Sequence, residues 1–105
     1  MIRNNEIKLK YLQLFEKDLK DAVLYIKDTL NNPSAAWDLA DKVEIAILER
    51  MKYPTSFEPY RSIRKRKETY YCIQVNNYSI FYVVENDVME IRRFIYSKRN
   101  IDEIL

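Results

Sequence analysis

Several residue types that carry enzyme chemistry are missing or scarce in this 105-residue sequence. It has no histidine, which removes the commonest general base at neutral pH. With one cysteine and no histidine, it lacks the ligands of a zinc site and cannot form an internal disulfide. It has no glycine, and therefore no phosphate-binding loop of the P-loop or dinucleotide kind. We therefore expect no metal ion, no other cofactor and no small-molecule substrate.

Long hydrophobic runs are absent too. No run approaches the ~20 residues of a membrane-spanning helix, and the first segment, MIRNNEIKLKYLQLF, is too charged for a signal peptide. The content of 48% hydrophobic and 32% charged residues is typical of a soluble globular protein. The length suits one core, so we expect a single domain over residues 1–105. A single cysteine, Cys72, is typical of a protein in the reducing cytoplasm, so we expect a cytoplasmic location. We expect no membrane partner.

The stretch from 69 to 96 has the strongest local pattern. Tyrosine, isoleucine, valine and phenylalanine dominate it, as in β-strands. Asn76-Asn77 and Glu85-Asn86-Asp87 interrupt it, and asparagine tolerates the positive φ of a tight turn. The pattern predicts three consecutive strands. Residues 78–84 are apolar on both faces, which favours a central strand that is covered on both sides.

Two helical stripes precede these strands. Apolar residues recur at helical spacing from Phe15 to Leu30 and from Ala36 to Met51. Asn32 suits the N-cap of the second helix and Pro33 its first turn, and the helix should stop near Tyr53-Pro54. Three more apolar residues widen the second stripe: Trp37, Leu39 and Leu48. We expect an antiparallel hairpin that buries both stripes on the sheet and turns its acidic residues to solvent.

The two ends of the chain complete the predicted fold. Residues 8–15 alternate like a first strand that the following helical pattern cuts short. The tail, SKRNIDEIL, fits either one helical turn or an edge strand. The order is therefore β-α-α-β-β-β. This is an α+β fold in which an antiparallel sheet packs against an N-terminal helical hairpin.

Positive charge is concentrated in the second half of the chain. Residues 60–105 carry nine Lys/Arg against six Asp/Glu, and tyrosines lie among them. Such a constellation can neutralise phosphates and stack on bases, or it can simply be a solvated edge that resists aggregation. Because Arg92 and Arg93 are consecutive, they should point to opposite faces, so that one needs a partner near the helices. The predicted target-binding or nucleic-acid-binding residues are Arg61, Arg64, Lys65, Arg66, Arg92, Arg93, Lys98 and Arg99.

Three separated segments together resemble the RelE/ParE superfamily, the toxins of bacterial type II toxin–antitoxin modules. They are DLKDAVLYIKDTLNNPSAAWDLADKVEIAI, YYCIQVNNYSIFYVV and MEIRRFIYSKRNIDEIL, and the likeness covers roughly residues 8–105. The last segment is similar to the family's C-terminal strand pattern, with Ser97 where glycine is frequent and Asn100 where aspartate is. The resemblance implies the toxin fold of this superfamily, a growth-inhibiting activity and a plasmid-stabilisation type of module.

The superfamily has two chemistries on one fold. RelE-like members are ribosome-dependent messenger-RNA endonucleases that use Lys/Arg with a Tyr or His, whereas ParE-like members poison DNA gyrase. The RelE-type basic positions fall near Cys72 and Gln74 and at Ser79, and the terminal catalytic tyrosine has no counterpart before the sequence ends. Arg99 is retained, and Tyr96 stands where ParE-like sequences often have His or Tyr. The comparison favours a ParE-like toxin; in a nuclease, Arg99 and Tyr96 would be the catalytic candidates.

The resemblance also implies partners. A cognate antitoxin should hold the toxin inactive, and the target should be DNA gyrase or, in the RelE-like alternative, the ribosome with its messenger RNA. A third possibility is an inactive relic or binding module that keeps the fold.

Overall fold

The computed structural model describes residues 6–62 and 66–105. Strand β1 (Lys8–Tyr11) leads into helix α1 (Gln13–Leu24), which continues as a π-helical turn (Tyr25–Thr29). Helix α2 (Pro33–Arg50) follows. The chain then forms strands β2 (Tyr71–Val75), β3 (Tyr78–Glu85) and β4 (Val88–Tyr96), and a short helix α3 (Ile101–Ile104).

The strands form one four-stranded sheet in the order β1-β4-β3-β2. Strand β3 is antiparallel to both β2 and β4, whereas β1 lies parallel to β4. The predicted α+β fold is confirmed, and the parallel β1 makes the sheet mixed. Both tight turns are confirmed as well: Asn76 and Asn86 have a φ of 52°, and Asp87 has a φ of 63°. With no glycine in the chain, Asn and Asp supply the left-handed conformation.

The core lies between the helical hairpin and one face of the sheet. Asn32 caps α2 by accepting the Ala35 N–H at 3.2 Å, and Pro33 occupies the first turn, as predicted. The helices contribute Phe15, Leu39, Val43 and Ile47, and the strands Ile73, Val75, Ile80, Tyr82, Met89, Ile91 and Phe94. Burial of each large aliphatic or aromatic side chain contributes about 1.5–3 kcal/mol, so the hairpin depends on the sheet.

The other face of the sheet is covered too, as predicted for β3. Phe81 is fully buried, and the ring of Tyr60 meets it edge-on with centroids 5.1 Å apart. The Tyr60 N–H donates to the Tyr70 carbonyl at 2.7 Å, and its hydroxyl donates to Asp102 at 3.2 Å. The C-terminal tail therefore forms a helical turn, one of its two predicted states, and is tied to the segment that covers Phe81.

Some predicted boundaries and faces are wrong in detail. The first strand ends at Tyr11 rather than Phe15, because Phe15 belongs to the buried stripe of α1. Helix α2 ends at Arg50, and single turns carry the chain to Tyr53. Trp37 and Leu48 do not widen the buried stripe, since they are 57% and 50% exposed.

Candidate functional site

A groove opens where the turn of the helical hairpin lies beside one end of the sheet. Its volume is about 790 Å³. The π-helical turn contributes Tyr25, while Tyr78 and Tyr96 pair at the ends of β3 and β4. Arg99 lines the same groove. The remaining lining residues are Ile26, Leu30, Ala35, Asp38, Leu39, Asn76 and Asn77. We call this the Arg99 groove.

Tyr78 joins the Arg99 groove to the core. Its ring stacks on Phe94 with centroids 4.6 Å apart and meets Tyr96 edge-on at 5.6 Å. Burial raises the pKa of Tyr78, and the neighbouring Tyr96 and Tyr25 raise it further. The Tyr78 hydroxyl therefore stays protonated at neutral pH and can donate a hydrogen bond but not act as a base. Tyr96, whose orientation the sequence left open, borders the groove with its ring partly exposed.

Arg99 also lines a second, smaller depression. That depression has a volume of about 240 Å³ and contains Asp18 and Asp21. The Arg99 N–H donates to the Tyr96 carbonyl at 3.0 Å, which fixes the turn after β4. Its side chain is exposed, and in the described part of the chain no carboxylate forms an ion pair with it. Lys98 is exposed beside it. Arg99 is thus a cation available to a partner.

Arg93 is held inside the protein. Its Nε donates to Asp18 Oδ2 at 2.7 Å and a terminal nitrogen donates to Asp18 Oδ1 at 3.1 Å. Another terminal nitrogen donates to the Ile104 carbonyl at 3.0 Å. The side chains of Asp18 and Arg93 are only 14% and 19% exposed. The expectation that the acidic residues of the hairpin all face solvent is therefore wrong for Asp18.

A β-bulge explains where Arg92 points. Phe81 of β3 pairs with Arg93, but the next residue, Tyr82, pairs with Ile91, so Arg92 is the extra residue of β4. The bulge breaks the regular alternation of side chains on which the prediction of opposite faces for Arg92 and Arg93 depends. The expected partner near the helices is confirmed for Arg93, which binds Asp18 of α1. Arg92 donates to Glu90 at 2.7 Å and forms a bidentate pair with Glu68 at 2.7 and 2.8 Å. Its charge is therefore matched within the protein.

The other predicted cations are scattered. Arg61 is exposed and pairs with Glu58 at 3.2 Å. Arg66 donates to the Asp102 carbonyl at 2.6 Å and so helps to hold α3. Arg64 and Lys65 lie outside the described residues. Of the candidates, the structure brings Tyr96 and Arg99 together in one groove, and it uses Arg66, Arg92 and Arg93 in internal contacts.

Sequence reasoning missed Tyr25 and Asp18. Tyr25 reaches the groove from a π-helical turn, in which the Leu30 N–H donates to the Tyr25 carbonyl at 3.0 Å. A helical stripe in the sequence is drawn for regular α-helical turns. A π-helical turn holds one residue more than an α-helical turn, and the stripe gives no signal for it. Asp18 meets a partner 75 positions away, which local spacing cannot reveal.

The described residues show neither a metal-binding cluster nor a membrane-spanning helix. The described residues contain no group of three or more His, Cys, Asp or Glu side chains that could hold a metal ion. Among the helices at 6–62 and 66–105, none is long and apolar enough to cross a membrane.

The sequence matches the family described as ParE toxin of type II toxin-antitoxin system, parDE, over residues 9–101. That match takes in both helices of the hairpin, the sheet except Lys8, and the Arg99 groove. The chain belongs to this family. It is a ParE-type toxin of a toxin–antitoxin module. A search of curated proteins gives no match.

Two solved structures share the fold of this ParE-type toxin. A chain of the chromosomal ParDE toxin–antitoxin system from P. aeruginosa has a TM-score of 0.72 and 13% identity, covering 90% of this chain and 100% of that one. A chain of the RelB–RelE antitoxin–toxin complex from Methanococcus jannaschii has a TM-score of 0.55 and 22% identity, covering 91% of this chain and 99% of that one. At these identities the likeness concerns the fold.

The toxin's sheet positions that resemble the RelE-type basic positions are neutral. Gln74 donates to Ser97 Oγ at 2.8 Å and accepts from Ser79 Oγ at 3.1 Å, and the two serine hydroxyls lie 2.9 Å apart. This ring of hydrogen bonds leaves the three side chains mutually satisfied. Burial raises the pKa of the neighbouring Cys72 thiol, which keeps it neutral. This part of the sheet therefore presents neither cations nor an activated nucleophile.

Proposed function

We propose that this ParE-type toxin arrests growth by acting on DNA gyrase and that a cognate antitoxin neutralises it. The observation that carries the proposal is the neutral hydrogen-bonded set of Gln74, Ser79 and Ser97. An RNA-cleaving site needs several cations to stabilise the charge that develops on phosphate. At the corresponding positions this toxin has the amide of Gln74 and the hydroxyl of Ser79, and Ser97 only completes their hydrogen bonds.

The distribution of arginines supports the same proposal. Arg92 and Arg93 are matched by Glu68, Glu90 and Asp18, so they add little positive potential for a nucleic acid. What remains at the Arg99 groove is a free arginine among three tyrosines. Tyrosine and arginine are the residue types that most often dominate the binding energy of protein interfaces. The Arg99 groove is therefore suited to contact with a protein target.

The antitoxin is the second partner in the proposal. The family's modules pair a toxin with an antitoxin, and the Arg99 groove offers an apolar wall with a cation at its edge. A C-terminal segment of the antitoxin that carries an apolar anchor and an acidic residue would fit such a groove. An antitoxin truncated before that segment should fail to co-purify with the toxin. Tight binding by the truncated antitoxin would contradict this docking.

One observation favours a RelE-like ribonuclease as the second candidate. Arg99 is free and lies in the same groove as Tyr96, so a charge-stabilising group and a hydroxyl are close together. On the ribosome, further groups could complete such a site. This candidate requires that Tyr96 take part through its hydroxyl.

Purified components distinguish the two candidates. We expect the toxin to inhibit supercoiling by gyrase, or to trap cleaved DNA on it, in a reaction without ribosomes. We expect Arg99→Ala to weaken this effect, and no messenger cleavage in a translation reaction programmed with a defined message. Cleavage of that message with unimpaired supercoiling would reverse the assignment.

A further inference from the structure

Three side chains at one end of the sheet form a closed ring of hydrogen bonds. They are Gln74 of β2, Ser79 of β3 and Ser97, the first residue after β4. We call them the Ser79 ring. Ser79 follows Tyr78 in the strand, so its side chain points away from the face on which Tyr78 borders the Arg99 groove. The ring therefore lies behind the groove, and none of its residues lines it.

The direction of every hydrogen bond in the Ser79 ring is fixed. The Asn76 carbonyl can only accept, so the Gln74 atom that faces it at 3.1 Å is the amide nitrogen. The same nitrogen donates to Ser97 Oγ at 2.8 Å, and the amide oxygen accepts from Ser79 Oγ at 3.1 Å. Because Ser79 has used its one proton, Ser97 donates to it across 2.9 Å. All bonds run the same way around the ring, which strengthens each of them.

Burial of Ser79 holds the ring together. This serine is only 3% exposed, so its hydroxyl needs hydrogen-bond partners within the protein. The Cys72 thiol is a further hydrogen-bonding neighbour, for which the serine oxygen has a second lone pair. If the Gln74 amide or the Ser97 hydroxyl moved away, a buried group would lose a hydrogen bond that water cannot replace. Both side chains are therefore held in place.

The Ser79 ring anchors the turn that carries Arg99. The Arg99 N–H donates to the Tyr96 carbonyl at 3.0 Å, so residues 96–99 form a β-turn with Ser97 in its second position. The Ser97 N–H donates to the Asn77 carbonyl at 2.8 Å, and its hydroxyl belongs to the ring. Ser97 is thus anchored through both its backbone and its side chain. The backbone position of Arg99, two residues further on, follows from that anchor.

The ring also reaches the turn between β2 and β3. Gln74 donates to the Asn76 carbonyl, and Asn76 and Asn77 both line the Arg99 groove. Between the two turns lies Tyr78, another lining residue, directly before Ser79 in β3. One set of side chains therefore connects three segments of the chain that border the groove.

We propose that the Ser79 ring positions Arg99 for contact with the target. Its three residues do not touch the target themselves; they act through the turn at 96–99. In the described part of the chain no carboxylate forms an ion pair with Arg99, so the turn is what confines this cation. A confined side chain loses less conformational freedom on binding, which raises affinity. The inference rests on the proposed function, because it concerns the same groove and the same target.

Gln74→Glu opens the ring with a small chemical change. The carboxylate keeps an acceptor for Ser79 but has no proton to donate to Ser97 or to the Asn76 carbonyl. Gln13→Glu is the matched control, because it makes the same change at an exposed position at the start of α1. A second pair of variants tests the hydroxyl: Ser97→Ala removes it, and Ser97→Thr keeps it. Circular dichroism checks that each variant is folded.

The first readout is the backbone mobility of Arg99, measured by ¹⁵N relaxation on the full-length toxin. In wild type we expect an amide order parameter of about 0.85 at this residue, as in rigid backbone. Gln74→Glu and Ser97→Ala should lower it to about 0.6 or less, whereas Gln13→Glu and Ser97→Thr should leave it unchanged. A rigid Arg99 in both ring-opening variants would overturn the proposal.

The second readout is inhibition of supercoiling by purified gyrase. We expect each ring-opening variant to raise the toxin concentration for half inhibition about tenfold, and the two controls to leave it unchanged. Positioning through Arg99 also predicts that Gln74→Glu has no further effect in a toxin that already carries Arg99→Ala. A tenfold effect in that background as well would show that the ring acts elsewhere, against the proposal.

The two readouts distinguish this inference from the proposed function. If wild-type toxin leaves supercoiling unimpaired, the proposed function fails, and the order parameter of Arg99 still decides whether the ring holds the turn. If wild type inhibits gyrase and the ring-opening variants inhibit it equally well, the inference alone fails. We expect inhibition by wild type, and a weaker effect together with a mobile Arg99 in both ring-opening variants.

Discussion

Asp18 and Arg93 form an ion pair that joins helix α1 of the hairpin to strand β4 of the sheet. The Asp18 carboxylate accepts two hydrogen bonds from the guanidinium and a third, at 3.0 Å, from the Phe94 N–H. Strand β1 pairs with β4 only as far as Ile91, so β4 has a free edge beyond that residue. Asp18 therefore satisfies a backbone donor that would otherwise be unpaired at that edge.

Replacing Asp18 should destabilise the toxin strongly. Asp18→Ala leaves the largely buried Arg93 guanidinium without its counter-charge and removes the acceptor of the Phe94 N–H, so we expect a loss of about 3 kcal/mol in the free energy of unfolding. Urea denaturation measures it. Asp21→Ala is the matched control, because its pair with Lys17 is exposed, and its change should be below about 0.5 kcal/mol. Similar losses in the two variants would contradict the role given to Asp18.

The Arg92–Glu68 pair should make stability depend on pH. Hydrogen bonding from Arg92 lowers the pKa of Glu68, so the pair contributes stability above the unfolded-state pKa of about 4.3 and loses it as pH falls through the folded-state value. Glu68 is 39% exposed, which limits the contribution to about 1 kcal/mol or less. We expect Glu68→Gln to be less stable than wild type at pH 7, with a gap that closes by about pH 3. If the difference in stability between wild type and Glu68→Gln stays constant from pH 7 to pH 3, the charge of Glu68 is not its cause.

Arg99→Ala should relieve growth arrest without unfolding the domain. The exposed side chain contributes little packing, so the change in stability should stay within about 0.5 kcal/mol, whereas the contact with the target loses its free cation. Growth after induction and thermal unfolding of the purified protein measure the two effects. Lys20→Ala, which removes an exposed cation from α1, should leave growth arrest intact. Full toxicity of the Arg99 variant would remove that residue from the site.

Two substitutions at Tyr96 distinguish a role in binding from a role in proton transfer. If the Arg99 groove acts by contact with gyrase, Tyr96→Phe keeps the ring beside Tyr78 and should retain growth arrest, while Tyr96→Ala should reduce it at least tenfold. The measurement is the inducer concentration that halves the growth rate. If Tyr96→Phe is as inactive as Tyr96→Ala, the Tyr96 hydroxyl is required for toxicity, which favours the ribonuclease.

Most of the fold was predictable because its signals are local. The strand stretch and its asparagine turns follow from side-chain alternation and the tolerance of asparagine for positive φ, and the N-cap at Asn32 follows from side-chain chemistry. The errors concern features that local patterns do not encode. Periodicity assigned Trp37 and Leu48 to the core because they are apolar, whereas the structure leaves half or more of each side chain exposed on α2.

The candidate site was predictable only in part, for a similar reason. Tyr96 and Arg99 are predicted because they stand at matching positions of the superfamily's C-terminal strand pattern. Arg92 and Arg93 were assigned to the target-binding set, with a partner near the helices expected for one of them, but neither the bulge nor the partners Glu68 and Asp18 can be read from spacing. The two ion pairs connect residues 24 and 75 positions apart. Which charges remain available to a partner is a property of the folded chain.

The central claim is that this toxin acts on DNA metabolism rather than on translation. Pulse labelling of DNA and protein synthesis, in the first minutes after expression without antitoxin, tests it most directly. The proposal predicts that DNA synthesis fails first, with induction of the DNA-damage response, while protein synthesis continues at first. A prompt collapse of protein synthesis with DNA synthesis intact would contradict it and indicate that the Arg99 groove acts on the ribosome. If neither synthesis stops, the protein keeps the toxin fold without the toxin's activity.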